Sequence, residues 1–414
     1  MLRSPLGRAI ERVRAADPQL LIFLGAIACV GASAGVFHST INNFLSDTFD
    51  MGPQTRGRLE FPRELPGFLA AAFWAGLFFL SASRLGAVAS AGVAAGMLGL
   101  GLVGRHYSPM IAALMIWSAG SHLAQPASST LALQLARAGA RGRRLGQVGA
   151  TRRLATILGC AVVWIVTEHW PGAYSAVFIA GAAFALAGSA VYLRMRSEPV
   201  DRTRQQPLVF RRRYGLYYLL SVLFGARKQV FLTFGPWVLV RIFQQPASTL
   251  AKLGMINAVI GVLLQPQIGK LIDRVGERII LVGEGLALIL VCLGYGYGDR
   301  LPLGDWTLYL ICLCYVCDEL LFSVGMARTT YLDKIALKRE DVTPSLALSV
   351  TLDHAVSMSI PTLGGYVWAR FSAAAVFLGA AGLAFIYACA ACFVRTPPAE
   401  ARPTATAITA QVPK

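Results

Sequence analysis

At 414 residues, with 56% hydrophobic side chains, 14% charged ones and a mean hydropathy of +0.58, the chain lies outside the composition of soluble domains and inside that of membrane proteins. Its net charge of +17 would suit a nucleic-acid binder, but the Lys and Arg residues are spread over alternate polar gaps, so nucleic acid is excluded as the partner. The eight cysteines all fall inside apolar runs, where small soft side chains pack well, and imply neither disulfides nor a metal.

Apolar runs of the roughly 20 residues that a helix needs to cross a bilayer recur from end to end. They predict an all-α integral membrane protein with about twelve transmembrane helices, at 19–45, 65–83, 86–104, 108–136, 154–168, 172–194, 214–241, 250–269, 279–298, 306–332, 344–370 and 372–394. The fifth run is short and is expected to begin nearer Gly146. Barrel strands would be about 10 residues long with strict alternation, and these runs show neither. The first run is too long for a cleavable signal peptide.

The expected organisation is a cytoplasmic N-terminal arm (1–18), a six-helix bundle (19–194), a basic linker (195–213), a second six-helix bundle (214–394) and a disordered cytoplasmic tail (395–414). Lys and Arg stay on the cytoplasmic side of inserted loops. Arg3, Arg8, Arg12 and Arg14 of the arm, Arg137, Arg141, Arg143, Arg144, Arg152 and Arg153 between the fourth and fifth runs, and the linker arginines all fall on one side when twelve helices are threaded. Both termini are therefore expected in the cytoplasm, with the protein spanning the inner (plasma) membrane many times. Residues Arg8–Arg14 also suit a basic helix on anionic lipid.

Between the eighth and ninth runs lies the charged island Gly269-Lys270-Leu271-Ile272-Asp273-Arg274-Val275-Gly276-Glu277-Arg278. About 190 residues earlier, at the corresponding connection, stands Ser83-Arg84-Leu85-Gly86, which keeps the Arg-x-Gly frame without the acid. The island, its worn duplicate, the helix count and the central basic linker together resemble the major facilitator superfamily of transporters, from residue 19 to 394. The resemblance implies two halves rocking about a central site, and it marks Gly269, Asp273, Arg274, Gly276, Arg278 and Arg84 as gating residues. An ordinary charged turn, with Gly269 ending one helix and Gly276 starting the next, is the alternative.

Polar groups at membrane depth are costly and point to function. The seventh run holds Arg227 and Lys228 near its middle, and the tenth holds Asp318 and Glu319. The resemblance places the first, fourth, seventh and tenth helices around the cavity, so the pairs are expected to face each other across it. The alternative is a buried ion pair that fixes helix packing. His38 and Asn42, four apart, share a helix face, as do His122 and Gln125, three apart. With Arg227 and Lys228 they form the expected substrate-binding set.

Asp318, Glu319, Asp353 and His354 are the expected proton-coupling groups, an acid beside a histidine being suited to a relay. Asp353 pairing only with Arg328 is the alternative. Glu60, Arg63 and Glu64 make a self-satisfying cluster at the expected start of the second helix, structural or part of an outer gate.

No nucleotide-hydrolysis motif and no nucleophile–base spacing occur, so no enzyme, catalytic residue or cofactor is expected. The sequence points to a monomeric secondary transporter of a small anionic or zwitterionic solute in the lipid bilayer, driven by protons, with Arg227 or Lys228 as the anion clamp. Proton-coupled drug efflux, with Asp318 or Glu319 receiving a cation, is the alternative, and a non-transporting scaffold or sensor is a third possibility.

Overall fold

A computed structural model describes residues 17–69, 80–137, 141–196 and 210–396. The arm at 1–16 with its arginines, residues 70–79 of the predicted second run, the linker arginines Arg202 and Arg204, and the tail from 397 lie outside the described residues. Among the described residues every regular element is helical.

In chain order these are α1 (Pro18–Phe49), α2 (Pro53–Phe68), α3 (Ala82–Leu102), α4 (Tyr107–Gln134), α5 (Arg141–His169), α6 (Tyr174–Leu193), α7 (Gly215–Arg241), α8 (Ala247–Val275), α9 (Glu277–Tyr297), α10 (Trp306–Leu321), α11 (Gly325–Ile335), α12 (Val342–Arg370) and α13 (Ala373–Ala391).

Local chemistry sets several boundaries. The Asp17 carboxylate accepts from the Gln19 N–H at 2.9 Å, with Pro18 at the first helical position of α1. Ser372 caps α13 through the Ala375 N–H at 3.1 Å. Gly276, at φ 82° and ψ 160°, separates α8 from α9 in backbone territory that is essentially glycine-only. The α8 helix runs through Gly269 without a break, so only one of the two island glycines terminates a helix.

Three predicted elements differ. Helix α2 begins at Pro53 and not near 65, because its charged stretch pairs along the helix: Arg56 with Glu60 at 2.5 Å, four apart, and Arg63 with Glu60, three apart. Glu60, Arg63 and Glu64 therefore stand well inside the helix and not at its start. Helix α5 begins at Arg141, earlier than either 154 or Gly146, since arginines propagate a helix readily. The predicted tenth helix is two, with a 3-10 turn at Phe322–Val324 between α10 and α11.

Among the described residues, eight helical segments are long and apolar enough to cross a membrane, and α4, α7 and α12 are not among them despite 28, 27 and 29 residues. Those three carry His122, Arg227, Lys228, Asp353 and His354, whose cost is tolerable only inside protein or along a cavity.

Helix α3 packs against α4 and α6, and α1 against α5 and α6. After the linker, α7 packs against α12 and α13, and α9 against α13. Across the linker, α2 packs on α12 and α5 on α8. Small residues bring backbones together at the first of these crossings: a Cβ on Gly57 would meet the Pro361 carbonyl, and one on Gly365 the Pro53 carbonyl.

Candidate functional site

A cavity of about 400 Å³, within the range of small-ligand sites, lies between α1, α2, α4, α5, α7, α8 and α10. Its polar lining includes His38 and Asn42 of α1, Arg56, Glu60 and Arg63 of α2, Arg153 of α5, Lys228 of α7, Asn257 of α8, and Tyr315 and Glu319 of α10. Leu59, Leu114, Leu232, Leu250 and Phe322 supply apolar wall.

Most of these charges are already paired. Both Nε and Nη2 of Arg56 donate to Asn42 Oδ1, at 3.2 and 3.1 Å. Glu60 collects Arg56, the Arg63 Nε at 2.6 Å and the Gln229 amide at 3.1 Å. Lys228 Nζ lies 2.5 Å from Asp353 Oδ2. In contrast, Arg153 and Glu319 line the cavity with no hydrogen bond or ion pair to a described residue. The buried Asn257 Oδ1 likewise has no partner. His38 presents its ring to the cavity, edge-on to Phe37 and Trp117.

The adjacent charged pairs split. Adjacent helical residues diverge by about 100°, so Arg227 and Asp318 meet each other away from the cavity while Lys228 and Glu319 line it. Arg227 is 1% exposed and its guanidinium lies 5.5, 5.2 and 5.7 Å from the ring centres of Phe224, Phe231 and Phe322. The expectation that both pairs face across the cavity is corrected for these two. Arg328 does not pair with Asp353; it binds Glu284 at 2.9 Å, beside the Tyr387 hydroxyl.

His122 and His354 stand together outside the cavity lining, ring centres 4.7 Å apart, and both face Glu64. The donor atoms of Glu64, His122 and His354 all fall within 4.8 Å of one another, close enough for a metal to draw them together. Gln125 is exposed and its carbonyl accepts from Ser128 and Ser129.

The end of the assembly carrying the α1–α2 and α7–α8 connections is tied across the linker. Asn43 donates to the Gln245 carbonyl at 2.8 Å, Arg241 reaches Asp50 at 2.7 Å, and Lys252 reaches Glu168 at 3.4 Å. Two further bonds cross the linker: the Gln229 amide donates to Glu60 at 3.1 Å, and His354 Nδ1 lies 3.0 Å from Glu64 Oε2. At the opposite end Asp273, Arg274, Arg278 and Arg84 are exposed, and Asp273 makes no ion pair with a described residue. The buried acid of the island is Glu277, which binds Lys334 of α11 at 2.5 Å.

The sequence places Arg153 in a cytoplasmic connection and marks none of Arg56, Asn257 and Glu277 as a site residue. Helix α5 starting at Arg141 carries Arg153 more than three turns into the bundle. The spacing Arg153, Thr156, Cys160, three and four apart, was the available signal for a cavity-facing side of α5.

A family model described as Major Facilitator Superfamily matches residues 64–337. The nucleoside transporter NupG superposes with a TM-score of 0.72 at 16% identity, covering 91% of this chain and 98% of that one. A POT family transporter in complex with 5-aminolevulinic acid gives 0.69 at 11% identity, covering 89% and 94%. A variant of the peptide transporter POT in complex with sulfate gives 0.67 at 12% identity, covering 89% and 93%. No curated protein sequence matches. With the family model spanning well over half of it and the helical architecture shared with these transporters, the chain belongs to the Major Facilitator Superfamily and is a multi-pass membrane transporter, not an enzyme.

Proposed function

We propose that the chain is a monomeric secondary transporter of the inner membrane, both termini cytoplasmic, that moves a small anionic or zwitterionic solute by alternating access coupled to protons. The single observation carrying this reading is that Arg153 and Glu319, which make no hydrogen bond or ion pair to a described residue, line one cavity from opposite sides of the linker. An anionic group sits at Arg153, in the cavity that the Lys228 ammonium also lines. An ammonium group, where the solute has one, sits at Glu319, and the Asn257 carbonyl oxygen accepts a further hydrogen bond.

Two bundles, 19–194 and 214–394, are supported by the helix contacts. Advancing six spans turns the packing of α2 on α12 into that of α8 on α5, and both are present. With ties concentrated at one end, the opposite end is the side from which solute reaches the cavity. There the exposed Asp273, Arg274, Arg278 and Arg84 close the gate when the bundles rock, Gly276 shaping the turn and Gly269 lying on the helix that carries it. Protons move through Glu319 and through the Lys228–Asp353 pair, which a proton on Asp353 releases.

Likeness to a nucleoside transporter and to peptide transporters at 11–16% identity bears on fold, so the solute class rests on the lining. A second reading, export of lipophilic cations, draws on Glu319 standing beside Tyr315 and Phe322. Uptake into liposomes with a panel of carboxylates, phosphates, amino acids and lipophilic cations separates the two. Anion or zwitterion flux lost at least tenfold in Arg153→Gln is expected, and flux of lipophilic cations alone overturns the first reading.

A further inference from the structure

Glu64 of α2, His122 of α4 and His354 of α12 converge at a point that the cavity does not use. The Nδ1 of His354 lies 3.0 Å from Glu64 Oε2, and the Nε2 of His122 lies 4.0 Å from the same oxygen. The other oxygen, Oε1, is taken by Arg63 at 2.6 Å, and Arg63 is itself held by Glu60. One carboxylate oxygen is thus reserved for two imidazole nitrogens. Glu64 is 6% exposed, so the three groups sit inside protein and not on a wet surface.

Two further features build this arrangement. Ser118, one turn before His122, donates to the Arg63 carbonyl and sets α4 against the part of α2 that carries Glu64. Gly67, three residues after Glu64, leaves room for both rings: a Cβ there would stand 2.7 Å from His122 Nε2 and 2.7 Å from His354 Cε1. Any other residue at 67 would force the imidazoles apart.

We propose that Glu64, His122 and His354 bind one zinc ion. Two imidazoles and a carboxylate are a three-ligand set for Zn²⁺, with a fourth position left to water. Donors bind zinc at about 2.0–2.2 Å, so the present donor spacing, at most 4.8 Å, needs only a small rotation of the rings to close. The zinc takes the place of the proton between His354 and Glu64, and His354 adopts the tautomer protonated on Nε2. Arg63 stays on Oε1 and orients the carboxylate, as outer hydrogen-bond partners of metal ligands do. Because two ligands precede the linker and one follows it, the bound ion staples α12 to α2 and α4 and holds the arrangement in which they are packed.

The test is titration of the purified, chelator-treated full chain with Co²⁺ and then Zn²⁺. One equivalent of Co²⁺ with the intense visible absorption of a four-coordinate ion, displaced by Zn²⁺, is expected, together with a zinc-dependent rise in melting temperature. His122→Gln and His354→Gln are each expected to weaken zinc at least tenfold, since even outer partners of ligands cost about 10–100-fold, while His38→Gln leaves it unchanged. No stoichiometric binding, or unchanged binding in the His122→Gln/His354→Gln double variant, overturns the proposal. Zinc-edge X-ray absorption on the unaltered chain decides independently of whether the variants fold. Nitrogen and oxygen neighbours at about 2.0–2.2 Å support the site, and sulfur at about 2.3 Å overturns it.

Discussion

Lys228 Nζ and Asp353 Oδ2 are 2.5 Å apart, joining α7 to α12 at the edge of the cavity. Their side chains are 20% and 27% exposed, so the pair is screened in part and contributes on the order of 1 kcal/mol to stability. Lys228→Gln is therefore expected to melt within a few degrees of the unaltered chain while losing solute uptake at least tenfold. Asp353→Asn, which frees the ammonium for solute, is expected to retain binding and lose proton-driven accumulation. Equal loss of folding and uptake in Lys228→Gln would make the pair structural only.

Arg227 and Asp318 behave differently because both are sealed from solvent. Removing one partner of a buried pair leaves an uncompensated charge and costs about 3–5 kcal/mol, whereas an apolar replacement of both is often neutral. Arg227→Leu is expected to lower the unfolding midpoint strongly, and Arg227→Leu with Asp318→Leu to recover most of it. A double variant as unstable as the single one would show that the surrounding Phe224, Phe231 and Phe322 rings need the cation.

Gly276 sits at φ 82° and ψ 160° between α8 and α9. A side chain there costs about 1–3 kcal/mol, so Gly276→Ala is expected to lower thermal stability and to slow transport by misdirecting the island that follows α8. Gly269→Ala, inside the continuous helix, is expected to be neutral or slightly stabilising. Denaturation and uptake assays on the two variants check the contrast.

Asp341, in the connection before α12, accepts from the Tyr214 hydroxyl at 2.7 Å and lies 2.9 Å from the Arg211 guanidinium. The hydrogen bond from Tyr214 first, and the charge of Arg211 with it, hold its carboxyl below the ordinary aspartate range. A carboxyl lowered on folding adds stability above its unfolded value, near 3.9, and loses it as pH falls through the folded value. Melting temperature is thus expected to drop below about pH 4, with a shallower drop in Asp341→Asn. Parallel profiles for the two proteins would remove this contribution.

The helices were legible because apolar runs announce themselves, and Gly276 because a glycine in a charged connection marks a turn. The start of α2 was not. Its charges look like a loop until Arg56, Glu60 and Arg63 are seen to satisfy one another along one helix face. Partner choice was also hidden: Asp353 is 125 residues from Lys228, and His354 is 290 from Glu64. Arg153 read as loop charge because hydropathy cannot tell a helix extended into the bundle from a basic connection.

By itself, then, the sequence determined a multi-helix membrane protein of the transporter class and the position of its charged island, because bilayer crossing is a property of local composition. Only the tertiary structure decided which buried charges cancel and which remain for a solute. Neighbours on one helix point about 100° apart, so Arg227 turns to Asp318 and Lys228 to the cavity, and the fate of each depends on helices far away in the chain.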